Sequence, residues 1–420
     1  GCHRFIISNC RGANDVLRLY ALAKCAHQGN PMLLDFAPLF ETVDDLTGAA
    51  NEMRRLLSMS AYRDHLATRD HIQHVMLGFS DGTKDGGYLM ANWSIHQAKE
   101  SLSAACAEHG VEVVFVDGRG SPPARGGRNT HRFYASLGPD VQTKEVQTTI
   151  QGQSISSNFG TPQSASYNME LLLTAGLQHR LIDPEQAQWT ADQRTLMNTL
   201  ADRSYAAYSD LKAHPAFMEY LSTYGTLSHY GATNIASRPT RRKKEGPLTL
   251  DDLRAIPFVG SWSQLKQNVP GFFGIGVALA SLEAEGRLEE AAKLYRDQPL
   301  FAALLENSMQ SMRKCNFELT AHLEGDARFG GLWRLVKAEF EQTKALLLRI
   351  TGQRELMERS PAIAESIDLR ESIILPLLVI QQAGLQWLDG QGDAPAPKAA
   401  LEKLVVRTMF GIVNAGRNAV

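Results

Sequence analysis

The sequence lacks the features that would place it in several common protein classes. Its most apolar windows fall well short of the ~20 residues that a bilayer crossing needs; they are FFGIGVALASL and IILPLLVI. Neither sign of charge dominates, because 43 basic residues are balanced by 45 acidic ones. No overall field therefore recruits nucleic acid or anionic lipid, and any anion site must be built locally.

Cysteine is scarce and follows no pattern. The five cysteines, among 420 residues, show no spacing typical of a metal site or a disulfide framework, which favours reduced thiols and a cytoplasmic protein. The first ten residues, GCHRFIISNC, lack an initiating Met and the basic and apolar regions of a signal peptide. They are typical of the middle of a protein, so we expect a fragment.

Familiar catalytic motifs are also missing. The twelve histidines include no HExxH pair, and the chain has no Walker loop, no dinucleotide-binding glycine fingerprint and no serine nucleophile elbow. What is present is a composition typical of globular proteins, with 44% apolar and 21% charged residues. The site must therefore be sought in the organisation of the chain.

Short apolar runs alternate with helical patterns in the first part of the chain. Six runs predict strands: RFIISN, PMLLDFAP, HVMLGFS, VEVVFVDG, a weaker VQTTIQG and RAIPFVGSW. Helical patterns such as NDVLRLYALAKCAH lie between them, and this alternation predicts a parallel sheet or barrel. Six strands are two short of eight, so we expect an incomplete (β/α)8 TIM-type barrel that begins upstream of Gly1.

Helical patterns dominate residues 162–224 and 271–420. One of them ends in Gly352, which predicts a C-terminal glycine cap, and DGQGDAPAPK predicts a loop between the last two helices. We therefore divide the chain at residue 270. Residues 1–270 would carry the barrel strands and active-site loops, with 162–224 as a helical insertion, and 271–420 would form a helical region. The expected class is a mostly helical α/β protein.

Carboxylates follow two of the predicted strands. Glu41 comes after PMLLDFAPLF and Asp81 after HVMLGFS. The active site of a strand–helix barrel lies where its strands end. Two carboxylates there suit Mg²⁺ or Mn²⁺, which prefer oxygen and keep positions open for substrate. The commoner role of such acids is to cap helices or to accept first-turn N–H groups, and the pattern alone favours that role.

A glycine- and arginine-rich stretch, DGRGSPPARGGRNTH, follows the strand VEVVFVDG. Its glycines let the backbone approach an anion closely. Arg119, Arg125 and Arg128 offer planar forks that match phosphate, carboxylate or bicarbonate. The alternative is a solvated surface loop with incidental arginines. Its place directly after a buried strand favours a functional loop.

A second basic cluster, SRPTRRKKEG, precedes LRAIPF. Arg238, Arg241 and Arg242 with two lysines match a nuclear-localisation or nucleic-acid patch, but such a run in a slightly acidic chain is more typical of a solvated face. A nucleic-acid binder would show strongly salt-dependent DNA affinity, and we expect none. Arg254 differs because it begins a predicted strand, and in a barrel it would point into the mouth.

In order and spacing, these motifs resemble the phosphoenolpyruvate carboxylase family. The matching segments are PLFETVDDL, VMLGFSDGTKDGGYLMANW, DGRGSPPARGGRNTH, SRPTRR, LRAIPFVGSWSQ and the C-terminal RNAV. The resemblance covers essentially the whole chain and corresponds to the C-terminal half of a divergent bacterial-type member. It implies a tetrameric carboxy-lyase that joins bicarbonate to phosphoenolpyruvate, forming oxaloacetate and phosphate through carboxyphosphate and an enolate.

The resemblance also implies roles for individual residues. Glu41 and Asp81 would hold Mg²⁺ or Mn²⁺. Substrate and carboxyphosphate would be bound by the arginines Arg119, Arg238 and Arg254, with Arg125 on a mobile loop that closes over the site. Asp117 takes the place of a catalytic histidine of the family. An inhibitory aspartate or malate would be bound by Arg125, Lys314, Arg370 and Asn418.

The chain departs from the family pattern in the glycine-rich loop. An ionised Asp117 cannot donate a hydrogen bond to carboxyphosphate as the family histidine can. Two prolines and the replacement of a glycine by Arg128 predict a stiffer loop. The family's essential histidine, in V-x-TAHPT, belongs to the N-terminal half, so we expect this chain alone to be inactive. The alternative is a non-catalytic fragment that binds a metal, anions or a dicarboxylate effector.

Overall fold

The computed structural model describes residues 2–28, 32–127, 130–141, 145–152, 154–177, 188–233, 249–250 and 252–416. Helices predominate within these ranges, and a parallel sheet lies in the N-terminal part of the chain. None of the helices in the described ranges combines the length and the apolar character that a membrane crossing requires.

Parallel strands form the sheet, and each pairs with the strand that precedes it in the chain. The five strands in the described ranges are β1 (Arg4–Ile7), β2 (Asp35–Phe40), β3 (Ile72–Gly78), β4 (Glu112–Gly118) and β5 (Val146–Thr148). They confirm the first five predicted strands and the mostly helical α/β class. Closure of the sheet into a barrel stays a prediction.

Helices occupy the connections between the strands. They are α1 (Ala13–His27), α2 (Val43–Leu57), α3 (Ser60–Ala67), α4 (Phe79–Ala107) and the short α5 (Thr130–Ala135). Local sequence explains where α2 begins: the Thr42 hydroxyl accepts the Asp45 N–H, and the Asp45 carboxylate accepts the Thr42 N–H. Because such crossovers return the chain to the same side, the carboxyl ends of the strands meet at one edge of the sheet.

A sharp kink divides α4. Gly87 has φ 74° and ψ 175°, a conformation that favours glycine. A Cβ atom at this position would lie 3.0 Å from Tyr208 Cγ, so the neighbouring helix leaves little room for a side chain. Two helices therefore follow each other directly, and the first, shorter one carries Asp81.

Further helices follow the sheet. They are α6 (Ser154–Phe159), α7 (Pro162–Leu177), α8 (Ala191–Ala213), α9 (Phe217–Thr223), α10 (Ala255–Gln264), α11 (Ile275–Ala284), α12 (Leu288–Asp297), α13 (Pro299–Arg313), α14 (Gly330–Thr351), α15 (Pro361–Leu388) and α16 (Lys398–Gly416). Segments of 3₁₀ helix lie at Pro123–Arg125, Leu227–Ala232, Val269–Gly271 and Phe317–Leu323. As predicted, Gly352 caps α14 in the left-handed conformation, and a loop joins α15 to α16.

The strand predicted at residues 254–262 is wrong. This segment forms α10, and Arg254 is its N-cap rather than the first residue of a strand. Helical spacing relates its buried apolar residues, which are Ala255, Phe258, Val259 and Trp262. Because nearly every residue of this short run is buried, its periodicity is hidden, and a strand and a buried helix look alike in sequence. Pro257 fits because first-turn N–H groups have no partner within the helix.

One apolar core joins the sheet to the C-terminal helices. Its largest fully buried side chains include Trp93 of α4, Trp262 of α10 and Trp333 of α14. A small second cluster links Ile374 of α15 to Ile412 of α16. The core is continuous across residue 270, and the division of the chain there stays a prediction.

Candidate active site

A cavity of about 480 Å³ opens at the carboxyl ends of the strands. Glu41 directly follows β2 and Asp81 lies just beyond β3, and both line this cavity together with Arg125 and Arg254. Four of the residues predicted from the sequence therefore come together. The other lining residues are Ser8, Asn9, Leu39, Met76, Gly78, Ser80, Gly118, Thr149, Gln151, Ala255, Ile256 and Pro257.

Two carboxylates reach this first cavity from neighbouring strands. The Oε2 atom of Glu41 accepts the backbone N–H of Asn9 at 3.0 Å. A Cβ atom at Gly78 would lie 3.1 Å from Glu41 Cγ, so the glycine that ends β3 makes room for this side chain. Asp81 lies in the first turn of α4, where the helix dipole favours an acid. Glu41 does not cap α2, whose N-cap is Thr42.

Hydrogen bonds hold the Arg125 guanidinium inside the first cavity. Its Nε donates to the Ser80 hydroxyl at 2.9 Å, and its Nη2 donates to Gln151 Oε1 at 2.8 Å. The residue is only 2% exposed. Burial lowers the pKa of Arg125 to about 10, although the negative charge of Asp81 opposes this change. A pKa of about 10 leaves Arg125 charged at neutral pH. Its Nη1 has no hydrogen-bond partner among the described residues and is available to an anion.

The glycine-rich loop is a compact turn around Arg125. The Gly120 N–H donates to the Arg125 carbonyl at 2.7 Å, and the Gly127 N–H donates to the Pro122 carbonyl at 3.0 Å. A Cβ atom at Gly127 would lie 1.9 Å from the Ser121 carbonyl oxygen, so packing requires glycine there. Internal hydrogen bonds and proline together restrict this backbone.

Arg254 enters the first cavity from the start of α10. The segment before it is tied to α4, because the Lys84 ammonium donates to the carbonyls of Leu250 and Leu253 at 3.0 and 2.7 Å. Sequence reasoning singled out neither Lys84 nor the two residues that hold Arg125. The available signal for Lys84 was its place one turn after Asp81, on the same side of a helix.

A second cavity, of about 450 Å³, adjoins the first and shares Thr149 and Gln151 with it. Arg119 and Arg370 both line it, and its described lining contains no Asp or Glu. Polar uncharged side chains also line it, among them Ser121, Thr130, Thr148, Ser154, Ser157, Asn158, Asn168 and Gln310. Arg119 therefore faces a different cavity from Arg125 and Arg254.

Asp117, the position predicted to be catalytic, lies in a buried ion pair. It is 1% exposed and lines neither of the two cavities. Its Oδ2 atom accepts hydrogen bonds from the Lys99 ammonium at 2.8 Å and from the Tyr134 hydroxyl at 2.7 Å. The carboxylate thus links β4 to α4 and α5.

The residues predicted to bind a dicarboxylate are only partly together. Arg370 of α15 lines the second cavity, and Lys314 is buried directly after the end of α13. Arg125 is held in the first cavity instead. Asn418, and the predicted catalytic residue Arg238, lie outside the described residues.

The first cavity has a donor set that suits a hard cation with few protein ligands. Within the described ranges, no three His, Cys, Asp or Glu side chains are grouped so that they could hold a metal ion. Glu41 and Asp81 supply two carboxylates to one cavity. Mg²⁺ is commonly bound by one or two carboxylates and keeps other positions for water or substrate, so these residues fit such an ion.

A family model described as phosphoenolpyruvate carboxylase matches residues 1–419. This chain belongs to the phosphoenolpyruvate carboxylase family. Its relatives include a phosphoenolpyruvate carboxylase of Corynebacterium diphtheriae, 35% identical over 99% of this chain. Others come from Xanthomonas euvesicatoria, 34% identical over 98% of this chain, and Rhodothermus marinus, 33% identical over 91%.

The match covers nearly all of this chain but less than half of each phosphoenolpyruvate carboxylase that it resembles. The chain spans about half the length of the curated relatives it matches: 46% of the C. diphtheriae and X. euvesicatoria proteins and 41% of the R. marinus protein. The family resemblance noted in the sequence motifs is confirmed.

Proposed function

We propose that this chain is the C-terminal part of a phosphoenolpyruvate carboxylase, a lyase that forms oxaloacetate and phosphate from phosphoenolpyruvate and bicarbonate. The observation that carries the proposal is the meeting of Glu41, Asp81, Arg125 and Arg254 at one cavity. Two acids and two arginines offer separate places for a divalent cation and for anionic substrates. As the resemblance implies, the complete enzyme would be a cytoplasmic tetramer.

The sheet would form part of an incomplete (β/α)8 barrel. Its strands are parallel and follow one another in sequence order, as the strands of such barrels do. Within the described sheet, β1 and β5 are the edges. Strands from the N-terminal half of the enzyme would pair at these edges and complete the barrel, while the additional helices surround it.

Glu41 and Asp81 would hold Mg²⁺ or Mn²⁺. The Asn9 N–H, which donates to Glu41, fixes the orientation of one of these carboxylates. A divalent cation bound there supplies charge stabilisation to substrate oxygens. The positively charged Arg125 and Arg254 remain on the cavity wall for the phosphate and carboxylate groups.

The arginines would neutralise the anions of the reaction. Bicarbonate attacks the phosphoryl group, the bond to the enolate oxygen breaks, and carboxyphosphate and the enolate of pyruvate form. Carboxyphosphate then releases CO₂, and the enolate carbon attacks it. Arg119, Arg238 and Arg254 would bind the phosphate and carboxylate oxygens, with Arg119 reaching them from the second cavity, which adjoins the first. Arg125 would close over the site and exclude water while CO₂ and the enolate are both present.

Reconstitution of the two halves tests this function. The family's essential histidine belongs to the N-terminal half, and loss of a general acid or base costs about 10² to 10⁴-fold in rate. We expect no bicarbonate-dependent release of phosphate from phosphoenolpyruvate by this chain alone. Release should appear after co-expression with the N-terminal half of the C. diphtheriae relative, and Arg254→Ala should abolish it.

Two outcomes of this assay would contradict the proposal. Robust release by the chain alone would show that the N-terminal half is not needed. No release by the folded, assembled pair would instead favour the non-catalytic alternative, a fragment that binds metal, anions or an effector.

An aspartate or malate effector would bind Arg125, Lys314, Arg370 and Asn418. Cationic side chains and an amide suit a dicarboxylate. Because Arg125 is bound to Ser80 and Gln151, the effector would have to draw it out of the first cavity. Inhibition would then follow as a population shift between two positions of the loop.

Calorimetric titration with L-aspartate tests this effector site. We expect the chain to give heats of binding that correspond to a dissociation constant in the millimolar range, near the physiological level of such metabolites. Lys314→Ala should lose them. Equal heats for both proteins, or none for either, would remove the effector site from this protein.

A further inference from the structure

A buried charge cluster lies beneath the glycine-rich loop. It consists of Lys99 on α4, Asp117 at the end of β4 and Tyr134 on α5, all of them buried. Asp117 Oδ2 accepts hydrogen bonds from the Lys99 ammonium at 2.8 Å and from the Tyr134 hydroxyl at 2.7 Å. Thr148 of β5 also hydrogen bonds to the Tyr134 hydroxyl. One carboxylate thus ties together two helices and, through Tyr134, a second strand.

The members of this cluster depend on one another. Burial lowers the pKa of the Lys99 ammonium, and the charge of Asp117 opposes that change. Burial, with the nearby Asp117, raises the pKa of Tyr134 well above its ordinary value. The hydroxyl therefore stays protonated and donates a hydrogen bond to Asp117. A buried charge left without a partner is strongly unfavourable. Lys99 therefore explains how a buried aspartate is tolerated at position 117.

Arg119 is held by aromatic rings next to the cluster. Its Cζ lies 4.3 Å from the ring centroid of Phe133, 4.8 Å from that of Phe79 and 5.7 Å from that of Tyr134. Phe133 packs edge to face against both other rings. Such contacts attract the cation without using its N–H groups. Arg119 is 4% exposed, and its Nε and Nη1 have no hydrogen-bond partner among the described residues.

We infer that Lys99, Asp117 and Tyr134 are positioning residues that fix the Arg119 guanidinium for an anionic ligand. Asp117 fixes the Tyr134 ring, Tyr134 packs against Phe133, and Phe133 lies against the guanidinium. The Arg119 donors then remain available to an anion in the second cavity, which Arg119 lines. Asp117 acts through Tyr134 and does not touch the ligand. This inference rests on the proposed function only in treating Arg119 as an anion-binding residue.

Arginine-selective ¹⁵N NMR on the 420-residue chain measures the position of Arg119 directly. The Arg119 Nε–H signal, assigned with Arg119→Lys, should be shifted by the neighbouring rings and should exchange slowly with water. Tyr134→Phe keeps the ring and removes only the hydroxyl. We expect this variant to lose at least half of the shift and to exchange about tenfold faster, the effect of one hydrogen bond.

The control for this measurement is Tyr205→Phe on α8, which removes a hydroxyl outside the cluster and should leave the Arg119 signal unchanged. An unchanged Arg119 signal in Tyr134→Phe would overturn the inference. Lys99→Met leaves Asp117 buried without its cation. We expect the ring-shifted Arg119 Nε–H signal to be absent from this variant. The double variant Lys99→Met, Asp117→Asn removes both charges and should stay folded, which keeps the test open if the single variant does not fold.

Titration with inorganic phosphate separates this inference from the proposed function. We expect Arg119→Ala to weaken phosphate binding by about 10 to 100-fold, because Arg125 and Arg254 still line the neighbouring cavity, and Tyr134→Phe to weaken it by about tenfold. Loss in Arg119→Ala with unchanged affinity in Tyr134→Phe would overturn the positioning role and leave the proposed function standing. Equal affinity in the chain and in Arg119→Ala would count against Arg119 as a ligand, and the NMR measurement would then decide the positioning role.

Discussion

Glu41 and Asp81 come from the ends of neighbouring strands and line one cavity. If they share a cation, replacing either carboxylate by the matching amide removes one charged ligand. We expect Glu41→Gln and Asp81→Asn each to weaken Mn²⁺ binding by at least about tenfold, measured by electron paramagnetic resonance of free Mn²⁺. Asp44→Asn, in the first turn of α2, is the control. Effects no larger than that of the control would exclude a shared site.

Glu100 is a carboxylate whose environment favours its charged form. It accepts hydrogen bonds from the Arg194 guanidinium at 2.7 and 2.8 Å and lies 3.2 Å from His96 Nε2. Burial raises the pKa of Glu100, but the bonds from Arg194 and His96 outweigh burial and lower it to about 2. Because the pKa of Glu100 is lower in the folded chain than in the unfolded chain, where it is near 4.5, its charge stabilises the fold at pH values above 4.5. This stabilisation is lost as the pH falls towards 2.

We therefore expect Glu100→Gln to lower the free energy of unfolding by about 3 kcal/mol at pH 7 and by about 1 kcal/mol at pH 3. Urea unfolding of both proteins at the two pH values measures the difference. Glu108→Gln removes an exposed partner of Arg54, whose charge is screened by water, and should cost much less than Glu100→Gln. If Glu100→Gln has the same cost at both pH values, the charge of Glu100 is not the cause.

The sequence indicated which residues meet at the strand ends, but not which way each side chain turns. Glu41, Asp81 and Arg125 line the first cavity because the ends of parallel strands lie at one edge. Asp117 was expected there too. It lies two residues after Phe115, whose ring is 5.2 Å from the Lys99 ammonium, so both side chains share the face of β4 turned to α4. The two-residue period of strands was the signal that would have shown this.

Secondary structure could be predicted wherever an element shows a clear period or a clear boundary. Strands β1 to β4 combine apolar runs with polar or glycine-rich ends, and the glycine after α14 marks its end. α10 was missed because it is buried on almost all sides. The kink in α4 was also not predicted, because a helical pattern continues through the glycine that causes it.

That kink gives a test at the scale of one helix. Gly87→Ala places a side chain at φ 74° and close to Tyr208, so we expect it to lower the free energy of unfolding by about 1 to 3 kcal/mol. Gly48→Ala, within α2, meets no atom within 4 Å and should stabilise the chain by about 1 kcal/mol. Urea unfolding measures both changes. Stabilisation by Gly87→Ala, as expected for Gly48→Ala, would show that the backbone conformation at Gly87 is not under constraint.

On the scale of the whole molecule, large apolar side chains remain exposed on three elements. The three elements that matter here are β1, with Phe5 and Ile6, α7, with Met169 and Leu173, and α15, with Leu369 and Ile373; single exposed apolar side chains also occur on other described elements. Exposed apolar surface of this kind is typical of interfaces. Sequence patterns did not predict these surfaces, because a period shows which side chains share a face and not what packs against that face.

We expect the chain alone to bind the dye 1-anilinonaphthalene-8-sulfonate and to self-associate, and we expect co-expression with the N-terminal half of a relative to reduce both. Dye fluorescence and sedimentation velocity measure these properties. Met169→Gln with Leu173→Gln should reduce dye binding by the chain alone, whereas Gln163→Ala on the same helix should not. If the chain is monomeric and does not bind the dye, these side chains do not form an interface.

The order of the strands has a consequence for biosynthesis. A ribosome extends a chain at about 5 to 20 residues per second, beginning at the amino end. Each strand of this sheet pairs with the one made just before it, so every new strand emerges when its pairing partner has already left the ribosome. Parallel sheets usually fold slowly because their partners are far apart in sequence. Here each step closes a loop of one or two helices, so we expect the sheet to grow strand by strand while translation continues.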